Sequence, residues 1–143
     1  MAANSDPIFS KAGAIGLAGG TGIGTAIVSD YDGTGANNVV IFTADATNGG
    51  FIQRLRLKAK GTNAVSVARI YINNGSANTT ATNNSFYGEL SLPATTAITT
   101  AATVDVDYPM NFAIPAGYKI VVGISAASAL ATGWSVTTIA GAY

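Results

Sequence analysis

Hydrophobic and polar residues alternate in short runs along most of this chain, and the period of two predicts β-strands rather than helices. The clearest run spans residues 51–60, where apolar side chains fill one predicted face and basic side chains gather on the other. The apolar face contains Phe51, Leu55, Leu57 and Ala59. The opposite face contains Ile52 and a basic row formed by Arg54, Arg56, Lys58 and Lys60.

Runs of this kind follow one another from residue 38 onward, separated by clusters of Gly, Asn, Thr and Pro that favour turns. The predicted strands cover residues 38–44, 50–60, 64–73, 85–92, 103–114, 118–125 and 133–140, with a break near Pro109. A short strand at residues 25–29 brings the number to about eight, which is typical of a jelly roll. We therefore expect an all-β chain that forms a single jelly-roll-like antiparallel β-sandwich.

The first 37 residues differ from the rest because eight glycines crowd residues 13–35 with little bulky apolar material. Glycine loses more conformational freedom on folding than any other residue. We therefore predict an extended Gly-rich N-terminal arm over residues 1–37, ordered only against a neighbour, and a β-sandwich domain over residues 38–143. The apolar arm residues Ile15, Leu17 and Ile23 are candidates for contact with a partner.

Low charge is the most unusual feature of the composition. Only 10% of the residues are charged, whereas 48% are hydrophobic. The surface of a small soluble domain usually carries about 25–35% charged residues. We therefore expect other subunits to cover part of the surface, as in an assembly of many copies.

The residue types that most catalytic and metal sites require are missing. The chain has no cysteine and no histidine, which excludes disulfides, thiolate ligands and imidazole bases. We predict a non-enzymatic protein with no catalytic residue, no cofactor and no metal. The formal net charge of +0 argues against a nucleic-acid partner. Polar residues interrupt the charge-free stretch 120–143, so no membrane span is expected, and the N-terminus lacks a secretory signal, which predicts synthesis in a cytoplasm.

Three segments invite a functional interpretation and each has a simpler one. The glycines of residues 17–26 resemble a dinucleotide-binding loop, but their spacing and surroundings favour the arm. Residues 30–35 resemble the start of a calcium loop, yet no glutamate completes it, and an Asp/Gly-rich turn is the simpler interpretation. Asp105 and Asp107 alternate along one strand, which indicates an exposed edge rather than a catalytic carboxylate pair.

Two sets of side chains are candidates for recognition of a partner. The basic row has no interleaved aromatic residues for base stacking, so it suits a partner's acidic surface, or else it forms a solvated sheet face. Aromatic residues on strands form either a sugar-stacking platform or parts of a core or interface. The five in question are Tyr31, Tyr71, Tyr87, Tyr118 and Trp134.

Several segments carry a resemblance to a known family: residues 42–45, 54–59, 68–75, 83–89 and 114–118, and the pair Gly133-Trp134. From residue 38 to the C-terminus the chain resembles small virion proteins encoded beside major capsid genes in tailed bacteriophages. The resemblance implies a capsid decoration or cement protein located on the capsid surface of the virion. Its expected partners are the major capsid protein and further copies of itself, as a homotrimer.

Jelly rolls also host lectins, so the fold leaves a second hypothesis open. On that hypothesis the chain is a glycan- or receptor-binding module on the virion head or tail.

Overall fold

The chain forms eight antiparallel strands in the computed structural model, which describes residues 12–23, 31–126 and 130–143. The strands are β1 (Ala12–Ile23), β2 (Val39–Thr43), β3 (Gly50–Ala59), β4 (Ser66–Asn73), β5 (Asn84–Leu92), β6 (Asp105–Ile114), β7 (Lys119–Ser125) and β8 (Trp134–Ala142). The last seven confirm the seven runs predicted from residue 38 onward. Within the described ranges no helix is long and apolar enough to cross a membrane.

The strands form two four-stranded sheets that pack face to face. The first sheet has the order β1-β8-β3-β6 and the second has the order β2-β7-β4-β5. Strands pair as β1 with β8, β2 with β7, β3 with β6 and β4 with β5, the pattern of one long hairpin rolled upon itself. Further pairs, β3 with β8 and β4 with β7, complete the sheets. This order confirms the jelly-roll-like sandwich expected from the strand count.

The core lies between the inward faces of the two sheets. Trp134, Ile52 and Leu55 from the first sheet are fully buried, as are Ile70 and Ile120 from the second. Full burial of a side chain of this size stabilises the folded state by about 1.5–3 kcal/mol relative to an exposed position. The apolar half of each alternating strand thus accounts for the packing of the sandwich.

A bulge in β3 corrects the predicted faces of that strand. The register of β3 shifts against both of its neighbours between Ile52 and Arg54: Gln53 is an extra residue against β8, whereas against β6 the extra residue lies on β6. The bulge turns Ile52 into the core beside Leu55, where it is 0% exposed. Phe51, predicted to share the apolar face, is half-buried instead. The strict period of two therefore holds only from Arg54 onward.

The predicted N-terminal arm is wrong for residues 12–23. These residues form β1, which pairs with β8 in regular antiparallel register from Ala12↔Ala142 to Ala18↔Val136. The first strand of the sandwich therefore comes from the Gly-rich segment itself, before the predicted strand at residues 25–29, which lies outside the described residues. The domain boundary placed at residue 38 does not separate an arm from the sandwich.

A buried asparagine joins three loops at one end of the sandwich. The Asn63 side chain is in the β3–β4 loop, and its Nδ2 donates to the Gly133 carbonyl at 3.0 Å, while its Oδ1 accepts from the Gly133 amide at 2.7 Å. The backbones of Asn63 and Thr95 exchange hydrogen bonds of 3.0 and 2.9 Å. Asn63 thus links the β3–β4, β5–β6 and β7–β8 loops.

Candidate binding face of the first sheet

The basic row lies on the outward face of the first sheet. Arg54, Arg56 and Lys58 point away from the core because the β3 residues between them, Leu55 and Leu57, are buried. Lys60 follows the end of β3 and is exposed. On the neighbouring strand β8, the residues in register with the row are Ile139, Thr137 and Ser135.

Two carboxylates of β6 lie beside the basic row on this same surface. Asp107 is in register with Arg56, and Asp105 is in register with Lys58. The ion pairs run diagonally: Arg56 bonds Asp105, and Arg54 Nη1 lies 3.9 Å from an Asp107 carboxylate oxygen. We call the surface formed by Arg54, Arg56, Lys58, Asp105, Asp107, Ser135, Thr137 and Ile139 the charged face.

The charges of this surface are therefore balanced within the chain. The Arg56 hydrogen bond, and then the Arg56 charge, lower the pKa of Asp105 below its ordinary value of 3.8. Lys58 Nζ donates to the Thr103 carbonyl just before β6. The carboxylates of β6 therefore neutralise part of the basic row, for which the sequence predicted either contact with a partner's acidic surface or a solvated sheet face.

Arg54 is less well satisfied than Arg56. Its Nε atom is buried and makes no hydrogen bond within the part of the chain that the structure describes. Its closest carboxylate contact, at 3.9 Å, exceeds hydrogen-bond length. A partner that supplied an acceptor near Arg54 would therefore gain a charge-assisted hydrogen bond at little cost to the fold.

The three apolar residues proposed for partner contact have different positions. Ile15 is in register with Ile139 on the outward side of the first sheet, and 67% of it is exposed. Leu17 is in register with Thr137. Ile23 is in register with Trp134 and is 2% exposed within the core, so the prediction that it contacts a partner is wrong.

The aromatic residues do not gather into one exposed platform. Trp134 and Tyr71 are buried, at 0% and 1% exposed, and Tyr118 packs against the core. Tyr87 contacts Phe112 and Tyr108 of β6, with ring centroids 5.2 and 6.3 Å apart, at the side of the sandwich where β5 and β6 approach each other. Three of the five aromatic residues, Tyr71, Tyr118 and Trp134, are therefore packed within the sandwich and do not form a common stacking surface.

An aromatic cluster on the outward face of the second sheet escaped the sequence-based prediction. The Arg69 guanidinium lies 3.9 Å from the Tyr31 ring centroid, and Arg69 Nε donates to Glu89 at 3.0 Å. The Tyr31 ring meets Phe86 edge-on at 5.3 Å. The sequence did contain one signal for this cluster: Arg69 is the one charged residue on an otherwise apolar strand. A buried guanidinium needs a partner nearby.

The segment that follows Tyr31 is the predicted Asp/Gly-rich turn. The Asp32 carboxylate accepts from the Thr34 amide at 2.9 Å and from the Thr34 hydroxyl at 2.6 Å. Gly33 has a φ of +79°, which favours glycine, and a Cβ at this position would lie 3.0 Å from the Asn84 side chain. Across the described residues, no group of three or more acidic side chains is placed to hold a metal ion.

Comparisons of the chain with models of protein families, with characterised proteins and with solved structures give no significant match.

Proposed function

We propose that this chain is a non-enzymatic virion structural protein that decorates and stabilises a phage capsid as an oligomer and contacts subunits of the major capsid protein. The resemblance of residues 38–143 to such proteins motivates the proposal. The observation that carries it is the charged face, a broad surface of the first sheet on which both arginines lie beside carboxylates of the same chain.

Paired charges suit a surface that is covered by another protein. Burying an unpaired charge is costly, whereas a guanidinium that keeps its carboxylate partner loses less on leaving water. Arginine is also enriched at protein interfaces, where lysine and aspartate are depleted. Arg56 with Asp105 and Arg54 with Asp107 are pairs of this kind, and their side chains are between 41% and 48% exposed.

The low charge of the whole chain supports the same proposal. Large apolar side chains remain exposed at several sites: Ile15, Tyr31, Val39, Val40, Val65, Phe86, Tyr87, Ile98 and Val104. A shell presents many identical sites, so a modest contact for each copy becomes strong when several linked copies bind together.

Binding of purified protein to shells assembled without it tests the proposal. We expect the wild-type protein to sediment with the shells. The double variant Arg54→Ala/Arg56→Ala should bind at least about tenfold more weakly, because it leaves Asp105 and Asp107 unpaired at the contact. The matched control is Lys119→Ala, which removes a positive charge from the second sheet, where Lys119 Nζ bonds the Ser76 carbonyl.

Wild-type protein that stays in the supernatant at all concentrations would contradict the proposed function. Equal binding by the wild type and the double variant would agree with the proposed function but would show that the charged face is not the contact with the shell.

A further inference from the structure

The four edge strands of the sandwich differ in how they are protected. An exposed strand edge offers unpaired N–H and C=O groups to other strands, and proteins guard against this with charges, proline, bulges or short length. On β6 the protective features are Asp105, Asp107, Pro109 and the positive φ of 52° at Asn111. On β5 they are Glu89 and a register shift. The edge strand β2 has only five residues and an irregular register.

The fourth edge, β1, has little of this protection. Its twelve residues, AGAIGLAGGTGI, include no charge and no proline, and its pairing with β8 is regular over residues 12–18, with a register shift only between Ala18 and Ile23. No described strand pairs with its other side. Beneath this edge β1 and β2 meet around a cleft of about 300 Å³ that Ala14, Ile15, Val40 and Phe42 help to line. Ile15 and Val40 are 67% and 38% exposed, so apolar surface lies beside the unpaired backbone.

We propose that β1 of one copy pairs with β1 of a second copy, antiparallel and across a two-fold axis, so that two first sheets join into one continuous sheet. The unpaired backbone selects a β-strand as the occupant. A strand with Asp or Glu beside apolar Ile15 would have to desolvate its charge, which disfavours β5 and β6. The uncharged β1 edge of a second copy fits itself, and self-pairing closes after two subunits rather than growing into a fibre.

This inference goes beyond the proposed function and does not depend on it, because it concerns the protein in solution. A two-fold contact predicts a dimer, whereas the resemblance to decoration proteins implies a trimer. The mass of the particle in solution distinguishes the two.

Light scattering during size-exclusion chromatography, over a range of concentrations, provides the test. We expect twice the chain mass of 14.3 kDa for the wild type. Ile15→Lys places like charges close to each other at the joined edge and should raise the concentration needed for dimerisation by at least about tenfold. The matched control is Val65→Lys, because Val65 is 68% exposed in the β3–β4 loop and belongs to no strand edge. It should remain dimeric.

A second variant separates loss of pairing from loss of folding. No atom lies within 4 Å of where a Cβ at Gly13 would be, so Gly13→Lys adds a charge at the edge without a clash. Both lysine variants should keep the wild-type circular dichroism spectrum while becoming monomeric. A monomeric or trimeric wild type would overturn the proposal, and so would a dimer that both variants leave unchanged.

Cysteine scanning locates the pairing directly, since the chain has no cysteine of its own. Single cysteines at residues 12–15 should form a disulfide-linked dimer at the position nearest the two-fold axis, where the two Cα atoms lie about 4.4–6.8 Å apart. Val65→Cys should not cross-link. Cross-linking that is uniform across all positions, or absent from all of them, would contradict an ordered β1 pair.

Discussion

Asn63 shows how much of this fold depends on one buried amide. It is 3% exposed, and besides Gly133 its side chain bonds the Thr132 hydroxyl, 3.2 Å from Oδ1, and the Thr95 hydroxyl, 3.3 Å from Nδ2. These bonds satisfy backbone groups of a loop 70 residues away along the chain. A buried polar group left without a partner costs about 1–3 kcal/mol. Loss of the whole network would therefore lower the free energy of unfolding by several such amounts.

We predict that Asn63→Ala lowers the free energy of unfolding by about 2–4 kcal/mol, because the buried Gly133 amide loses its partner and the Gly133 carbonyl keeps only the Lys60 amide. Urea denaturation monitored by Trp134 fluorescence measures the change. The control is Asn74→Ala, which removes an exposed asparagine that pairs with Asn83 at 3.2 Å, and should cost less than about 1 kcal/mol. Equal losses in the two variants would show that the three-loop network is not a special source of stability.

Asp105 makes stability depend on pH in a defined direction. Its pKa in the folded protein is lowered by Arg56, so the ion pair contributes stability above the ordinary value of 3.8 and loses it as the pH falls through the folded value. Wild type should therefore be more stable than Asp105→Asn at pH 7, and the difference should shrink as the pH falls below 3.8. Thermal unfolding of both proteins across this range measures it.

A stability difference that is constant from pH 7 to pH 2 would contradict this assignment. Some acid sensitivity should remain in Asp105→Asn, because the amides of Asn48 and then Thr47 also lower the pKa of Asp45.

At the residue scale, the sequence predicts which face of a strand a side chain occupies better than it predicts which residue that side chain contacts. Period two placed Arg54, Arg56 and Lys58 together on one side of a strand, since alternation is a local property. It did not show that Asp105 neutralises Arg56, because the two are 49 residues apart and depend on strand order. The sequence also did not reveal that Gln53 is an extra residue against β8, because both residues before it, Phe51 and Ile52, are apolar.

Among the elements, β1 is close-packed against β2 through a glycine. A Cβ on Gly16 would lie 2.0 Å from the carbonyl oxygen of Ile41, a backbone atom that can move only with its strand. Gly16 therefore sets the distance between the first and second sheets on this side of the sandwich. The glycines that suggested a mobile arm include one that the packing requires.

We predict that Gly16→Ala destabilises the protein by about 1–3 kcal/mol through overpacking between β1 and β2. Gly13→Ala is the matched control on the same strand, because its added methyl meets no atom within 4 Å. It should be neutral or slightly stabilising. Denaturant unfolding of both variants is the measurement, and a harmless Gly16→Ala would show that the two strands are not held this closely.

Deletion of residues 1–32 distinguishes a strand from an arm. Loss of an arm would leave the sandwich intact, but this deletion removes β1 and Tyr31. It should expose the paired edge of β8 and the Arg69 side chain. We expect a chain that unfolds at markedly lower temperature by circular dichroism. An unchanged unfolding temperature would mean that β1 contributes nothing to the fold.

The error over β1 has a physical origin. Residues 12–23 contain mainly Gly and Ala, so no alternation of large apolar and polar side chains reveals the strand. Its position is fixed by β8, whose residues 134–142 pair with it from the other end of the chain. Pairing over such a separation is a property of topology, which local pattern does not encode.

For the whole molecule, the number of predicted strands was the feature of the sequence that best indicated the fold. Eight strands in a chain of 143 residues predicted a jelly-roll-like sandwich, and the two sheet orders confirm it. The low charge predicted covered surface. The structure adds two surfaces of different character: the charged face, with its ion pairs, and the uncharged β1 edge beside Ile15. The first is the proposed contact with a shell, and the second is the proposed contact between copies.

Imaging of phage particles by electron cryomicroscopy, with and without this protein, tests the central claim most directly. We predict additional density of about the size of the sandwich at symmetry-related positions on the outer shell, present only in particles that contain the protein. The first sheet should face the major capsid protein. Shells that are identical in the two samples would contradict the proposed role.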